Sequence, residues 1–301
     1  MDIELPNGPF TLSQAADLGI SPRRLRDLVS ARLVRRLFTG VYLCSAIPAD
    51  RRRYAAGAAL VLPSFGVTSD RSAALIHEVD TYPPWAEEII PNVDTAVLSD
   101  KTALRRKGCN GCKRALTAAD IVVVDGVPVT SKLRTALDLG CLLRRYEALI
   151  TLDQFLRQGD VSKEDLIRES GRYAGRRGVV QLRELCQLAD GRSESTGESW
   201  TRLAIIDADL PVPQLQVWVE DDYGEPIFRL DLAYILSKIA IEYDGKRFHK
   251  TKEQRRRDEA RRRWLRDRGW IVIVVTKERL RGQALMCLIQ EIRDALAARR
   301  S

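Results

Sequence analysis

Residues 227–245 read IFRLDLAYILSKIAIEYDG, and their runs of β-branched and aromatic residues predict two neighbouring strands of one sheet. Asp231 lies in the first run and Glu242 follows eleven residues later, about the separation of facing positions in a short hairpin. Glu242 and Asp244 are two residues apart, so both side chains should project from one face of their strand. The stretch therefore predicts three carboxylates in one place.

The residues around this stretch predict the rest of a mixed α/β domain. A polar run at 190–197 marks a junction, and Pro211 and Pro213 should end the helix that follows it. The predicted elements are a helix over 195–209, strands over 215–220, 227–235 and 238–245, a basic helix, a strand over 270–276 and a helix to about 298. Their order is α-β-β-β-α-β-α, and we assign them to a domain at 191–301.

Positive charge is concentrated directly after the acidic stretch. Residues 246–268 contain twelve Lys or Arg and four Asp or Glu, an excess that equals the net charge of +8 of the whole 301-residue chain. Such a run favours a polyanionic partner, although a solvated helix face is the usual alternative. Lys246, Arg255 and Arg256 are candidate contacts to a DNA backbone.

Three carboxylates in mostly apolar sequence would repel one another unless a cation occupied the site. Mg²⁺ (or Mn²⁺) prefers carboxylate ligands and can activate a water for phosphodiester hydrolysis, which makes Asp231, Glu242 and Asp244 candidate metal ligands. His249 is the other histidine of the chain besides His77, and it could act as general acid or base. Alternatively, Asp231 solvates a strand edge and the other two acids form a polar strand end.

The order of elements, with Asp231 in RLDLA, Glu242 and Asp244 in IEYDG, and His249, resembles the PD-(D/E)xK nuclease fold. More narrowly, it resembles proteins related to very-short-patch-repair (Vsr) endonucleases. The resemblance implies a metal-dependent endonuclease whose catalytic set is Glu198, Asp231, Glu242, Asp244 and His249, with Glu194 as the competitor of Glu198.

One departure from the nuclease signature concerns the residue that orients the attacking water. The usual signature ends Glu-x-Lys, whereas Asp244 stands at the lysine position here. Vsr-like relatives also lack that lysine. Lys246 or His249 could take over the role, and we favour His249.

The first fifty residues predict a winged helix-turn-helix. A short helix over 11–18 is followed by Gly19, and Ser21 with Pro22 is a typical start for a second helix over 23–32. Two short β-prone runs then follow around Thr39-Gly40. The candidate DNA contacts in this segment are the basic residues Arg23, Arg24, Arg26, Arg35 and Arg36. Protein contacts with solvated arginines are the alternative. The segment resembles the N-terminal domain of AbiEi-type antitoxins, the DNA-binding partners in type IV toxin–antitoxin systems.

The region 51–190 predicts an α/β module without a catalytic constellation. Asp125-Gly126 between two β-rich runs is a hairpin signal, and the segment 127–139 resembles the part of AbiEi-like proteins that follows the winged helix. We interpret His77 as structural. Cys109 and Cys112 could supply half a zinc site, but a surface loop with two incidental thiols is the better interpretation because a closed site needs four ligands.

Two hypotheses follow for a protein of three domains, at 1–50, 51–190 and 191–301. In the first it is a DNA endonuclease positioned by the winged helix. In the second it is an AbiEi-like antitoxin and transcriptional regulator whose nuclease fold does not cleave. DNA is the expected partner in both, together with a cognate toxin or a second copy of the chain. The sequence contains neither a signal-peptide pattern nor a membrane span, and we expect a cytoplasmic protein.

Overall fold

A computed structural model describes residues 5–81, 91–245 and 251–299, except for the side chains of Lys252 and Arg255. These residues form a mixed α/β protein with three sheets and eleven α-helices. Within these ranges, every helix is too short or too polar to cross a lipid bilayer. The chain forms two compact units. Unit 1 comprises Met1–Leu142 and Arg168–Gly178, and unit 2 comprises Leu143–Ile167 and Val179–Ser301.

Unit 1 begins with two short helices and a three-stranded sheet of order β1-β3-β2. These elements are β1 (Phe10–Thr11), α1 (Leu12–Asp17), α2 (Pro22–Ser30), β2 (Val34–Phe38) and β3 (Val41–Cys44). The predicted start of α2 is confirmed, because the Ser21 side chain accepts a hydrogen bond from the Arg24 amide and Pro22 occupies the first turn. Leu25 and Leu28 are buried on one side of this helix.

The rest of unit 1 surrounds a five-stranded sheet of order β6-β5-β4-β8-β7. The elements are α3 (Arg51–Ala59), β4 (Gly66–Thr68), α4 (Asp70–Ile76), β5 (Val93–Leu98), β6 (Cys109–Arg114), β7 (Ile121–Val124), β8 (Val127–Thr130) and α5 (Lys132–Leu142). The predicted hairpin between β7 and β8 is confirmed. Its turn residues Asp125 and Gly126 have φ of 51° and 78°, as a two-residue turn with both φ positive requires.

The structure places three side chains of unit 1 that the sequence analysis singled out, Cys109, Cys112 and His77. The prediction of a surface loop for Cys109 and Cys112 was wrong, because both lie on β6, which pairs in parallel with β5. Burial raises the pKa of both thiols. His77 is buried, and its Nε2 lies 2.7 Å from the carbonyl oxygen of Thr130, which agrees with a structural role.

A buried ionic network holds the segment Arg168–Gly178 in unit 1. Asp138 on α5 accepts hydrogen bonds from Arg114 at 2.6 Å, from Arg134 at 2.9 Å and from the Tyr173 hydroxyl at 2.7 Å. The side chains of Asp138 and Arg134 are 4% and 2% exposed. Charges buried this deeply need compensating partners, and the network supplies them.

Unit 2 contains a four-stranded sheet of order β12-β11-β10-β9, in which β11 and β12 are parallel and the other pairs antiparallel. Its elements are α6 (Arg145–Arg157), most of α7 (Lys163–Glu169), α8 (Val179–Leu188), α9 (Thr196–Asp207), β9 (Gln214–Glu220), β10 (Pro226–Tyr234), β11 (Ile239–Tyr243), α10 (Lys252–Asp267), β12 (Ile271–Val275) and α11 (Gly282–Ala297). From α9 onward the order is helix, three strands, helix, strand, helix. Assignment of this order to the nuclease fold stays a prediction.

The two faces of this sheet carry different helices. Ile239 and Ile241 of β11 pack in one core cluster with Ile205 of α9 and with residues of α11. Ala240 packs in a second cluster with Leu265 of α10. Because side chains alternate along a strand, Glu242 belongs to the face that α10 covers.

Candidate acidic site and basic surfaces

Asp231 and Glu242 face each other where the pairing of β10 and β11 ends. Leu232 pairs with Ile241, so the next position of the register places Asp231 opposite Glu242. Oδ2 of Asp231 accepts a hydrogen bond of 2.8 Å from the backbone N–H of Tyr243. This bond fixes the Asp231 carboxylate at the edge of the pairing.

Glu198 approaches the same place from the first turn of α9. Its side chain is 5% exposed, and its carboxylate accepts hydrogen bonds from the Glu194 amide at 2.9 Å and from the side chain of Gln216 at 2.8 Å. Glu194, the competing acid, instead forms an ion pair of 2.6 Å with Arg229. Of the two acids, Glu198 is therefore the one whose charge acts on Asp231.

The protonation of Asp231 reflects this crowding. Burial raises the pKa of Asp231 to about 7, and the charges of Glu198 and Glu242 add to the increase. The Tyr243 amide and Arg261 act in the opposite direction. Near neutral pH, both the protonated and the ionised form of the Asp231 carboxyl group are therefore populated.

Two arginines of α10 supply positive charge to the other acids. Nη2 of Arg261 lies 2.6 Å from Oε1 of Glu242, and Nη2 of Arg262 lies 3.4 Å from Oδ2 of Asp244. The Nε of Arg262 also lies 3.9 Å from Oε2 of Glu242. A shared partner shows that Glu242 and Asp244 project to the same side, as their spacing predicted.

The described acids do not fit a divalent cation as they are placed. Among the residues that the structure covers, no group of three His, Cys, Asp or Glu side chains is arranged to hold a metal ion. Guanidinium groups of Arg261 and Arg262 stand beside the carboxylates instead. Coordination of Mg²⁺ or Mn²⁺ by Asp231, Glu242 and Asp244 stays a prediction.

Several predicted residues cannot be placed in this site. Lys246 and His249 lie outside the described residues, as does the side chain of Arg255, so their predicted roles are untested. Arg256 is exposed on α10.

Sequence reasoning missed the specific partners of the acids. Arg261 and Arg262 precede the buried Leu265 by four and three residues, so they share the stripe of α10 that faces the sheet. This spacing from an apolar residue could have indicated in the sequence that the two arginines face the sheet. Gln216 was also missed: it has a φ of 54° on β9 and donates to Glu198.

The N-terminal segment presents a second basic surface. Arg23, Arg24 and Arg26 are exposed on α2, whereas Leu25 and Leu28 face the core. Within the described part of the chain, none of these three arginines takes part in an ion pair. They are therefore positioned to meet an external anion.

The two arginines of β2 differ from each other. Nη2 of Arg35 donates to the carbonyl oxygens of Ser45 at 2.5 Å and of Ile47 at 3.2 Å, so Arg35 holds the chain that follows β3. Arg36 is exposed, and its Nε donates to the Phe38 carbonyl at 3.1 Å. The geometry gives Arg35 a structural role and leaves Arg36 at the surface.

Together, the fold and these surfaces define a basic, two-unit α/β protein with exposed arginines at its N-terminal helix. Residues 65–188 match the family described as the AbiEi antitoxin C-terminal domain. This match supports the AbiEi-type part of the resemblance seen in the sequence. The resemblance to Vsr-like nucleases is not tested by it.

The chain is also similar to two uncharacterized proteins of Mycobacterium tuberculosis, from strains CDC 1551 / Oshkosh and H37Rv. Each is 35% identical to it over 160 residues, which is 53% of this chain and 59% of the relative. The chain thus spans about three-fifths of the length of these curated relatives.

Proposed function

We propose that the chain is a DNA-binding regulator of the AbiEi antitoxin type. The observation that carries the proposal is that Arg23, Arg24 and Arg26 are all exposed on α2, while Leu25 and Leu28 of the same helix are buried. Guanidinium groups bind phosphate and guanine edges in the geometry that DNA offers. The family match at residues 65–188 supports the antitoxin part of the proposal.

The N-terminal segment is proposed to act as a winged helix-turn-helix. In this arrangement the second helix, α2, enters the major groove, and the hairpin of β2 and β3 contacts the sugar–phosphate backbone. Exposed Arg36 on β2 is placed for such a backbone contact, and Arg35 fastens the hairpin to the chain that follows β3.

The C-terminal domain is proposed to keep a nuclease-type fold without cleavage. Arg261 and Arg262 neutralise Glu242 and Asp244, which removes the need for a cation at those acids. Such a domain could serve contact with a cognate toxin or with a second copy of the chain.

The test is retention of the DNA upstream of the chain's own coding sequence against an excess of unrelated duplex. We expect Arg23→Glu with Arg26→Glu to abolish retention, because two phosphate or base contacts become repulsive. Reversal of Arg183 and Arg293, exposed arginines of α8 and α11, changes the net charge equally and should leave retention intact. Equal loss in both pairs of variants would contradict the proposal.

A metal-dependent endonuclease is the second candidate function. It is favoured by one observation, the effect of the nearby charges of Glu198 and Glu242 on Asp231 where the pairing of β10 and β11 ends. Incubation with mixed DNA substrates and Mg²⁺ or Mn²⁺ separates the two candidates. Turnover that disappears in Asp231→Ala and Glu242→Ala, with DNA retention preserved, would establish the enzyme. We expect no turnover, and we expect Asp231→Ala to leave promoter retention unchanged.

A further inference from the structure

The arginines of α10 fall into two groups that differ in their partners. Arg257 pairs with Glu253, and Arg266 with Glu259, in contacts where every side chain is at least 50% exposed. Because water screens such exposed pairs, each pair is weak, and another anion can replace the carboxylate at the guanidinium group with little loss of free energy. Arg261 and Arg262 are 30% and 18% exposed and pair with acids of the sheet that are only about 10% exposed.

The buried pairs hold α10 against the end of β11. Arg261 also donates a hydrogen bond of 2.7 Å to the backbone carbonyl of Arg229 on β10. Its guanidinium is therefore oriented by two strands at once. Arg262 reaches both Glu242 and Asp244, so the two arginines and two acids form one connected group.

We propose that this group is an autoinhibitory latch, in which Glu242 and Asp244 occupy the guanidinium groups that would otherwise bind nucleic-acid phosphate. A carboxylate and a phosphate oxygen compete for the same paired N–H donors of arginine. The latch goes beyond the proposed regulator function, which concerns α2, and assigns a second, withheld nucleic-acid surface to α10.

The partner that fits this surface is the backbone of a nucleic acid, without regard to sequence. Arg257 lies four residues before Arg261 and Arg266 four residues after Arg262, and these two exposed arginines provide neighbouring positive charge on the helix. Phosphate contacts position a duplex but do not read its bases. Opening of the latch adds Arg261 and Arg262 to this helix surface and should strengthen binding to any duplex.

The experiment measures the affinity of the full chain for a random-sequence duplex by fluorescence anisotropy. All proteins carry Arg23→Glu and Arg26→Glu, so that binding through α2 is removed and failure of the latch can be told from failure of the proposed function. We expect Glu242→Gln with Asp244→Asn to raise affinity about tenfold and to steepen the dependence on log salt by up to about 0.9 for each released arginine.

A matched control separates release of the arginines from a simple gain in charge. Glu253→Gln with Glu259→Gln changes the net charge by the same amount but removes acids whose pairs are exposed. We expect this control to raise affinity by no more than about twofold, because exposed pairs bind their arginines weakly. An equal gain in both pairs of variants, or no gain in either, would overturn the latch.

Two further measurements guard against loss of structure. Arg261→Met with Arg262→Met, added to Glu242→Gln and Asp244→Asn, should return affinity to its starting value. In the latched protein, NMR signals of the Arg261 and Arg262 Nη–H groups, which face Glu242 and Asp244 and are assigned by these substitutions, should shift when duplex is added. Signals that stay unchanged at saturating duplex would contradict the exchange of partners even if a variant fails to fold.

Discussion

Asp231 and Tyr243 are joined across the end of the β10–β11 pairing by a hydrogen bond of 2.8 Å from the Tyr243 amide to Oδ2 of the carboxylate. The bond holds Asp231 near Glu198 and Glu242, whose charges oppose its ionisation. An acid fixed in this way lowers the stability of the fold whenever it is ionised. A substitution at Asp231 therefore tests how ionisation in this acidic site affects the stability of unit 2.

We expect Asp231→Asn to stabilise unit 2 at alkaline pH. Burial raises the pKa of Asp231 from 3.8 to about 7, so the folded state binds a proton that the unfolded state releases. The contribution of Asp231 to the free energy of unfolding is fully present below about pH 4, and it is lost as the pH rises through about 7. The asparagine keeps an acceptor for the Tyr243 amide and removes the charge. The free energy of unfolding that Asp231→Asn gains over the original protein should therefore be largest at pH 8 and should vanish toward pH 4.

Tryptophan fluorescence in urea, with EDTA present, measures this gain. Four of the five tryptophans of the chain, Trp200, Trp218, Trp264 and Trp270, lie in unit 2, so the emission of these four follows the unfolding of that unit. Asp222→Asn, at a side chain that is 77% exposed, serves as the control for the removal of one surface carboxylate from the same unit. A gain from Asp231→Asn that is the same at pH 4 and pH 8 would contradict a raised pKa.

Arg261→Met should destabilise unit 2, whereas Arg257→Met on the same helix should not. Removal of Arg261 leaves the Glu242 carboxylate, about 10% exposed, without its 2.6 Å partner. We expect a loss of about 1–3 kcal/mol, below the range for a fully buried pair because Arg261 is partly exposed. Arg257 pairs with Glu253 at the surface, and its loss should be at most about 0.5 kcal/mol. If urea titrations gave the same loss in the free energy of unfolding for Arg261→Met and Arg257→Met, the two ion pairs would not differ in strength as proposed.

Features governed by local rules could be predicted from the sequence. Ser21 and Pro22 set the start of α2, and Asp125-Gly126 set the β7–β8 turn, because capping and turn geometry depend on a few adjacent residues. The strand bounds that the sequence predicts for unit 2 lie within a few residues of the observed ones. The opposition of Asp231 and Glu242 also followed from spacing alone.

Features that depend on distant partners could not be predicted in this way. The run Cys109–Arg114 has little strand propensity, and it becomes β6 because β5 offers it a complete ladder of parallel pairs. The role of Arg35 depends on the position of Ser45 and Ile47 after the hairpin. Nothing local to Tyr173 indicates that its hydroxyl reaches Asp138 in unit 1.

Arg36→Ala and Arg35→Ala should affect DNA binding differently. Arg36 is exposed, so its removal should lower the slope of log affinity against log salt by about 0.9 if it contacts one phosphate. Arg35 is bonded to two backbone carbonyls, so its removal should lower the melting temperature and leave the slope unchanged. Anisotropy titrations over a series of salt concentrations, with thermal melts of the same samples, check both outcomes. A reduced slope for Arg35→Ala would contradict the structural role and would indicate that Arg35 contacts the DNA.

Asp138→Asn should destabilise unit 1 more than any substitution at an exposed ion pair. The change leaves Arg114 and Arg134 facing a neutral amide where Asp138 was 4% exposed. Removal of one partner from a buried pair costs about 3–5 kcal/mol, because the remaining charge loses its compensation. Since Tyr173 also bonds to Asp138, the segment Arg168–Gly178 should lose amide protection in hydrogen exchange before the rest of the unit.

The matched control for this substitution is Asp125→Asn. Asp125 is 83% exposed in its pair with Arg52, and asparagine suits its positive φ as well as aspartate does. We expect no measurable change in stability or in hydrogen exchange from this control. If Asp138→Asn behaved in the same way, the network around α5 would not be what keeps the segment Arg168–Gly178 attached to unit 1. The pairing of Arg172 with Asp120, an ionic link that does not involve Asp138, would then be the next contact to test.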